Sequence, residues 1–228
     1  MPSGDAIAVT VVQLATAGAA LCGVWRCRRL QRYGSDRRLT ALAWFFGLFA
    51  AAVLLNVAWQ AQVGVAFEER LGGALVGPGP GNATHGAPPY GFTLFRPEGV
   101  ERANLWLAGH HALMLASLVV GVWAFGTRRP EAPAVAAAAG FVFIGELVPT
   151  MLALEAGVAL YLAARAFLNH VAVKSPGALQ AALGFLLFFV GHLLFSVAHQ
   201  PGMGHAAFGD VLNLVGIVLL VQVLPGKR

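Results

Sequence analysis

An all-α bundle of helices that crosses a membrane about seven times is the fold this sequence predicts. Three observations carry that reading. Of the 228 residues, 58% are hydrophobic and only 11% charged, which is too little charge to clothe a soluble domain of this length. The apolar residues gather into runs of roughly 20, the length a helix needs to cross the hydrocarbon with its backbone amides bonded within the segment. The fifteen basic residues fall in short clusters between those runs.

The first run covers residues 6–25. Asp5 precedes it, and Arg26, Arg28, Arg29, Arg32, Arg37 and Arg38 follow it. A secretory signal peptide has the opposite order, so the run reads as a retained helix. Further spans are expected at 40–63, 104–125, 132–148, 150–168, 178–199 and 206–224, forming with the first a single transmembrane domain. Residues 131–169 are apolar for long enough to cross twice, and Gly145, Glu146 and Pro149 supply a polar point and a helix breaker between the two crossings. The long loop at 64–103 begins with a stretch, 67–76, suited to an interfacial helix. It continues into Pro- and Gly-rich coil that carries the glycosylation sequon Asn82-Ala83-Thr84.

Lys and Arg close to a span stay on the cytoplasmic side. With the N-terminus outside and the C-terminus cytoplasmic, the inner face receives the cluster at 26–38, Arg128 with Arg129, Arg165 with Lys174, and Lys227 with Arg228. Only Arg70, Arg96 and Arg102 remain outside. Merging the fourth and fifth runs into one helix would carry Lys227 and Arg228 outward, so charge favours seven spans over six. Trp25, Trp44, Trp59, Trp106 and Trp123 stand near the proposed helix ends, where an indole prefers the headgroup boundary. The formal charge of +5 therefore reports topology in a plasma (cytoplasmic) membrane and contact with anionic lipid, and argues against nucleic acid as a partner. Cys22 and Cys27, at the inner end of the first run, read as packing residues and not as a disulfide.

Polar residues inside the spans are the informative feature, because each one in hydrocarbon costs energy and needs a partner or a cavity. Counted from the outer ends at about 1.5 Å per residue, Gln13, Asn56, His110, His111, His192 and Asn213 reach one depth, about 10 Å in. Glu155 and Asp210 lie slightly shallower. The inner half is almost wholly Ala, Val, Leu, Gly and Phe. This alignment implies an outward-facing polar site.

His110 shares a stripe with Met114, Ser117 and Gly121 that has the look of a packing face, which ranks it ahead of His111 as an inward residue. His192 lies along an aromatic-rich side with Phe185, Phe188 and Phe189. Two histidines facing one another across such a slot suit the axial positions of a b-type haem, so His110 and His192 are the expected cofactor ligands. Alternatively, His110, His111 and His192 with Glu155 or Asp210 suit a zinc or copper ion, which favours imidazole with an occasional carboxylate. Against both stands a purely structural network of hydrogen bonds between helices. Glu155 is the hardest residue to dismiss as packing, because a carboxylate inside the bilayer has to be protonated, paired or wetted.

The topology resembles that of rhodopsins and G-protein-coupled receptors. However, the final span holds no lysine for a retinal Schiff base, and Gly126-Thr127-Arg128-Arg129 stands where the receptors carry Asp-Arg-Tyr, so no family is assigned. The expectation is a multi-pass membrane protein with an outward-facing histidine site, read first as a haem- or metal-binding redox subunit. The alternatives are a non-catalytic helical subunit beside other membrane subunits, or a receptor, sensor or transporter with an outer ligand pocket.

Overall fold

The computed structural model describes residues 4–34, 36–75, 100–125, 147–197 and 203–224, with side chains described over 7–34, 36–61, 106–125, 151–195 and 208–224. Among the described residues the chain forms six helices: α1 (Gly4–Gln31), α2 (Arg37–Leu75), α3 (Val100–Phe125), α4 (Leu147–Val173), α5 (Pro176–Val197) and α6 (Met203–Val223). Five contain stretches long and apolar enough to cross a membrane: Ile7–Gln31, Arg37–Ala61, Trp106–Phe125, Met151–Val173 and Pro176–Phe195; the sixth contributes the shorter apolar stretch Phe208–Val223. The expected crossing at 132–148 falls almost entirely outside the described residues, as do the sequon and most of the loop. The start of that loop does not break away as a separate helix, because α2 runs on unbroken through Leu75.

Local chemistry sets the helix ends. Asp36 caps α2, its Oδ1 accepting from the Arg38 amide at 2.8 Å, while its carbonyl accepts from Leu39 and Thr40. Between α4 and α5 the chain turns in two residues. Lys174 takes the left-handed conformation (φ 51°) and its amide bonds the His170 carbonyl; Pro176 then opens α5 at the first helical position, where no amide hydrogen is needed. At the far end of α6, Arg26 reaches across from α1 and donates to the carbonyls of Val221 (2.9 Å) and Leu224 (2.8 Å), satisfying the last turn.

Each helix packs on the next in chain order, and α6 closes back on α1. The relative directions follow from contacts at two levels. Gln31 bonds Thr40 while Gly23 abuts Phe46, so α1 and α2 are antiparallel. His110 meets Ala52 and Ser117 meets Phe45, so α2 and α3 are antiparallel as well. In contrast, His111 meets Glu155 and Gly121 abuts Leu162, both numbers rising together, so α3 and α4 run parallel. The pair α1 and α6 is parallel by the same test, with Gln13 on Asp210 and Arg26 on Val221.

All six helices contribute to one core. At its centre Phe45, Phe46, Phe49, Phe185 and Phe188 are fully buried; Phe49 stacks on Phe188 at 5.1 Å, and Phe45 meets Phe185 edge-on at 6.0 Å. The outward faces carry Leu14 and Leu21 on α1, Leu186 and Leu193 on α5, and Val211 and Val218 on α6, all exposed at seven-residue spacing. An apolar exterior of this kind suits contact with lipid tails. Trp25, Trp44 and Trp123 are likewise exposed near helix ends, and Arg29 lies over the Trp25 ring at 5.2 Å. Of the two cysteines, Cys27 is buried and packs as expected, whereas Cys22 faces outward.

Because lipid tails solvate Leu as well as a protein interior does, helix association here depends on close packing. Glycine provides it between α5 and α6, where Gly184 faces Gly216 and Gly191 faces Gly209. A Cβ on Gly216 would sit 2.8 Å from the Gly184 carbonyl oxygen, a backbone atom that cannot swing aside. On α4, a Cβ on Gly157 would meet nothing within 4 Å. Gly216→Ala is therefore expected to destabilise the bundle by about 2 kcal/mol through overpacking. Gly157→Ala should leave it unchanged or stabilise it by up to about 1 kcal/mol through helix propensity. Unfolding of the two variants in mixed micelles checks the contrast.

Candidate functional site

Several of the polar residues that the sequence places in one layer come together on neighbouring helices: Gln13 with Asp210, and His111 and His192 with Glu155. Glu155 of α4 is fully buried, and each oxygen of its carboxylate faces a different histidine. Oε1 lies 2.9 Å from Nδ1 of His111 on α3, and Oε2 lies 3.2 Å from Nε2 of His192 on α5. The first contact is a hydrogen bond. The second has ion-pair distance without hydrogen-bond direction, and Oε2 has no directed partner among the described residues.

His192 is oriented by its own helix. Its Nδ1–H donates to the Phe188 carbonyl one turn back at 2.7 Å, which fixes the tautomer and aims Nε2 at the carboxylate. His110 donates from Nδ1 to the Ala52 carbonyl of α2 at 2.8 Å, and its ring meets that of His111 edge-on at 4.8 Å. On the other flank, Gln13 of α1 donates from Nε2 to Oδ2 of Asp210 on α6 at 3.1 Å, and α6 packs beside the α5 that carries His192. The layer thus runs from Gln13 through Asp210, His192, Glu155 and the His111–His110 pair to Ala52, touching every described helix.

The ranking of the adjacent histidines is reversed. His111 is the buried one, at 4% exposure, and it binds the carboxylate, while His110 is half-buried and bonds a backbone carbonyl. The stripe containing His110 is indeed a packing face, since Ser117 bonds the Phe45 carbonyl and Gly121 lies against the Phe45 ring. That face meets α2. A helix in a closed ring has two buried flanks, and the second flank, which carries His111 and the fully buried Leu118, meets α4. Asn213 is buried against α5, its Oδ1 facing Gly191, and Asn56 is half-buried one turn beyond Ala52. Sequence reasoning could not find the carbonyls of Ala52 and Phe188, because every residue owns one.

The arrangement is a line, imidazole to carboxylate to imidazole. Among the described residues no group of three or more His, Cys, Asp and Glu side chains is disposed to hold a metal ion. Phe185 and Phe188, two of the phenylalanines expected to line a haem slot, pack against one another, and His192 turns its Nε2 toward Glu155.

No family model matches this chain, and neither a curated protein nor a solved structure does.

Removing either partner of the central hydrogen bond strands the other as a buried polar group. His111→Phe and Glu155→Leu are each expected to cost about 3 kcal/mol of stability. The double variant should cost clearly less than their sum, leaving a coupling energy of about 1–2 kcal/mol in a double-mutant cycle read by unfolding in micelles. Additive losses would mean that the two side chains do not interact.

Proposed function

We propose that this chain is a multi-pass integral membrane protein whose work is done by taking up and releasing a proton at a relay formed by His111, Glu155 and His192. The observation that carries this reading is the bridging carboxylate, with each oxygen against a different imidazole and all three groups buried. A carboxylate and two imidazoles in series have one more proton acceptor than a single ion pair needs. A proton arriving at either imidazole can be passed through Glu155 by exchange of short contacts, with no large movement of charge into lipid. Intramembrane carboxylate–histidine chains serve proton transfer in pumps and transporters for this reason.

Topology belongs to the same reading. What supports seven crossings, with the termini on opposite faces, is the parallel run of α3 and α4 together with that of α1 and α6. Parallel neighbours in sequence need a connection that returns across the bundle. The basic clusters then put the C-terminus in the cytoplasm of a cell whose plasma membrane holds the protein, and the relay lies nearer the outer face. Reporter tags on the two ends should show the C-terminus inside and the N-terminus outside; both on one side would overturn this arrangement.

A second reading, the zinc or copper site, has one observation of its own. His110, His111 and His192 each engage Nδ1 with an oxygen acceptor; Nε2 of His111 is buried without a partner among the described residues, while Nε2 of His192 faces Glu155, itself a possible ligand. Metal-binding imidazoles are usually held in this way. The bis-histidine haem keeps less support, because the contact it needs on His192 is made by Glu155.

Infrared difference spectra of the purified protein between acidic and neutral pH separate these readings. The relay predicts a carboxylic-acid carbonyl band that Glu155→Gln abolishes and Asp210→Asn leaves in place. The absence of any Glu155-dependent band would sink the relay. Metal analysis of the same sample supplies the other arm, since near-stoichiometric zinc or copper lost in His192→Ala would establish the metal site instead.

A further inference from the structure

Five arginines crowd one end of the α1–α2 pair with little to neutralise them. Arg28, Arg29 and Arg32 close α1, Arg37 and Arg38 open α2, and all five are exposed. Their neighbour Arg26 serves the fold, since its guanidinium is spent on the last carbonyls of α6. In contrast, Arg28, Arg32 and Arg37 have no ion-pair partner among the described residues. Asp36 is the one carboxylate described at this end, and its Oδ1 is turned to the Arg38 amide. The dipole of α1 favours cations in its last turn, but that of α2 opposes them in its first, where Arg37 and Arg38 stand without an acidic residue. Mutual repulsion adds to that cost, so the cluster works against the fold and calls for an anion from outside the chain.

The tryptophans indicate which kind. Trp25 shares one face of α1 with Arg28, Arg29 and Arg32, three, four and seven positions on, and Arg29 lies over its ring. On α2, Trp44 follows Arg37 by seven. The contacts Gly23–Phe46 and Gln31–Thr40 set the register of the two helices, which brings Trp25 and Trp44 to nearly the same level, and both are 60% exposed. An indole facing outward at the end of an apolar span marks the edge of the hydrocarbon. Arg28 and Arg29 then lie one turn, about 5 Å, beyond that edge, and the polar layer of a leaflet is about 5–7 Å thick. Lipid phosphate lies at that depth. In the other direction the face of Trp25 continues as exposed Leu21 and Leu14, a surface for acyl chains. A soluble anion would use the arginines and leave the tryptophans and leucines without a role.

We propose that this end of α1 and α2 binds an anionic phospholipid, its phosphate held by Arg28, Arg29, Arg32 and Arg37 and its chains lying against the Trp25 face. Guanidinium suits the task, because paired N–H groups match two phosphate oxygens and are less strongly hydrated than an ammonium. The site needs the chain to lie in a membrane, but it shares no residue with the His111–Glu155–His192 relay, so either assignment can fail without the other.

Native mass spectrometry of the full-length protein, released from micelles holding equal amounts of phosphatidylglycerol and phosphatidylcholine, tests the site. Phosphatidylglycerol is expected to stay bound in preference to phosphatidylcholine. An arginine near the membrane surface adds about fivefold to the binding of an anionic lipid, so Arg28→Gln combined with Arg32→Gln should cut the preference by about 25-fold. Lys174→Asn removes a charge at the same end of the bundle but outside the patch, and should keep the preference. If the double variant fails to fold, Arg37→Gln alone should still lose about fivefold. Equal retention of the two lipids by the wild-type protein, an undiminished preference in the arginine variants, or an equal loss in Lys174→Asn would overturn the site. Displacement of the lipid by millimolar inorganic phosphate would point to a soluble anion and overturn it too.

Discussion

The polar side chains of this protein are buried within apolar spans, and most of the structure answers to that. In hydrocarbon every amide, carboxylate or ring nitrogen must find its partner within the protein, and one left over costs several kcal/mol, of the order of a large part of a domain's whole stability. The backbone answers by being helical over the described spans. Side chains answer by sharing a level. Glu155 is supportable inside α4 only because α3 and α5 each bring an imidazole to it, and Asp210 because α1 brings Gln13. A shift of one helix by a single turn, about 5.4 Å, would break these pairings. The polar layer therefore sets the register of the ring, whatever chemistry it also performs.

Below that layer the register is held by shape. Phe45 touches the rings of Phe46, Phe49, Phe125 and Phe185, and the glycines of α5 and α6 allow backbone oxygens to approach within contact. Lipid gives little reward for burying a phenylalanine, so what these residues add is interlocking: large rings on α2 and α5 fit against small residues elsewhere. Gly23 takes the face of Phe46, Gly121 takes the edge of Phe45, and Gly216 accepts Phe188. Polar pairing at one level and ring-into-glycine packing at another constrain each helix at two heights, which fixes its tilt as well as its position.

Much of this was legible in the sequence because membranes impose coarse rules. Run length located five of the spans, and a depth count from span ends brought Gln13, Asp210, His111, Glu155 and His192 into one layer before any contact was known. The details that escaped share a physical cause. A stripe argument treats a helix as having one buried face, so it promoted His110 and demoted His111, whereas a helix in a closed ring buries two flanks. Composition announced a loop after residue 63, yet α2 continues to Leu75, because polar residues such as Glu68 and Glu69 are good helix formers once the chain leaves the apolar span. Backbone acceptors such as Ala52 and Phe188 carry no sequence mark. Partner choice within the layer was beyond reach for a related reason: depth is one coordinate, and pairing depends on angle around the helix axis as well.

His192 carries the tightest of these constraints, because both of its ring nitrogens are committed. Nδ1–H is held by the Phe188 carbonyl of its own helix, and Nε2 faces the Glu155 carboxylate of α4. Turning the ring would withdraw both contacts at once and leave a carbonyl, a carboxylate oxygen and a ring nitrogen unpaired among apolar helices. The imidazole is therefore fixed at one end by α5 and presented at the other to α4. Through Glu155 and His111 the same run of contacts reaches α3. Three helices thus share one alignment, and the contacts that fix their register are the same contacts along which a proton of the proposed relay would pass.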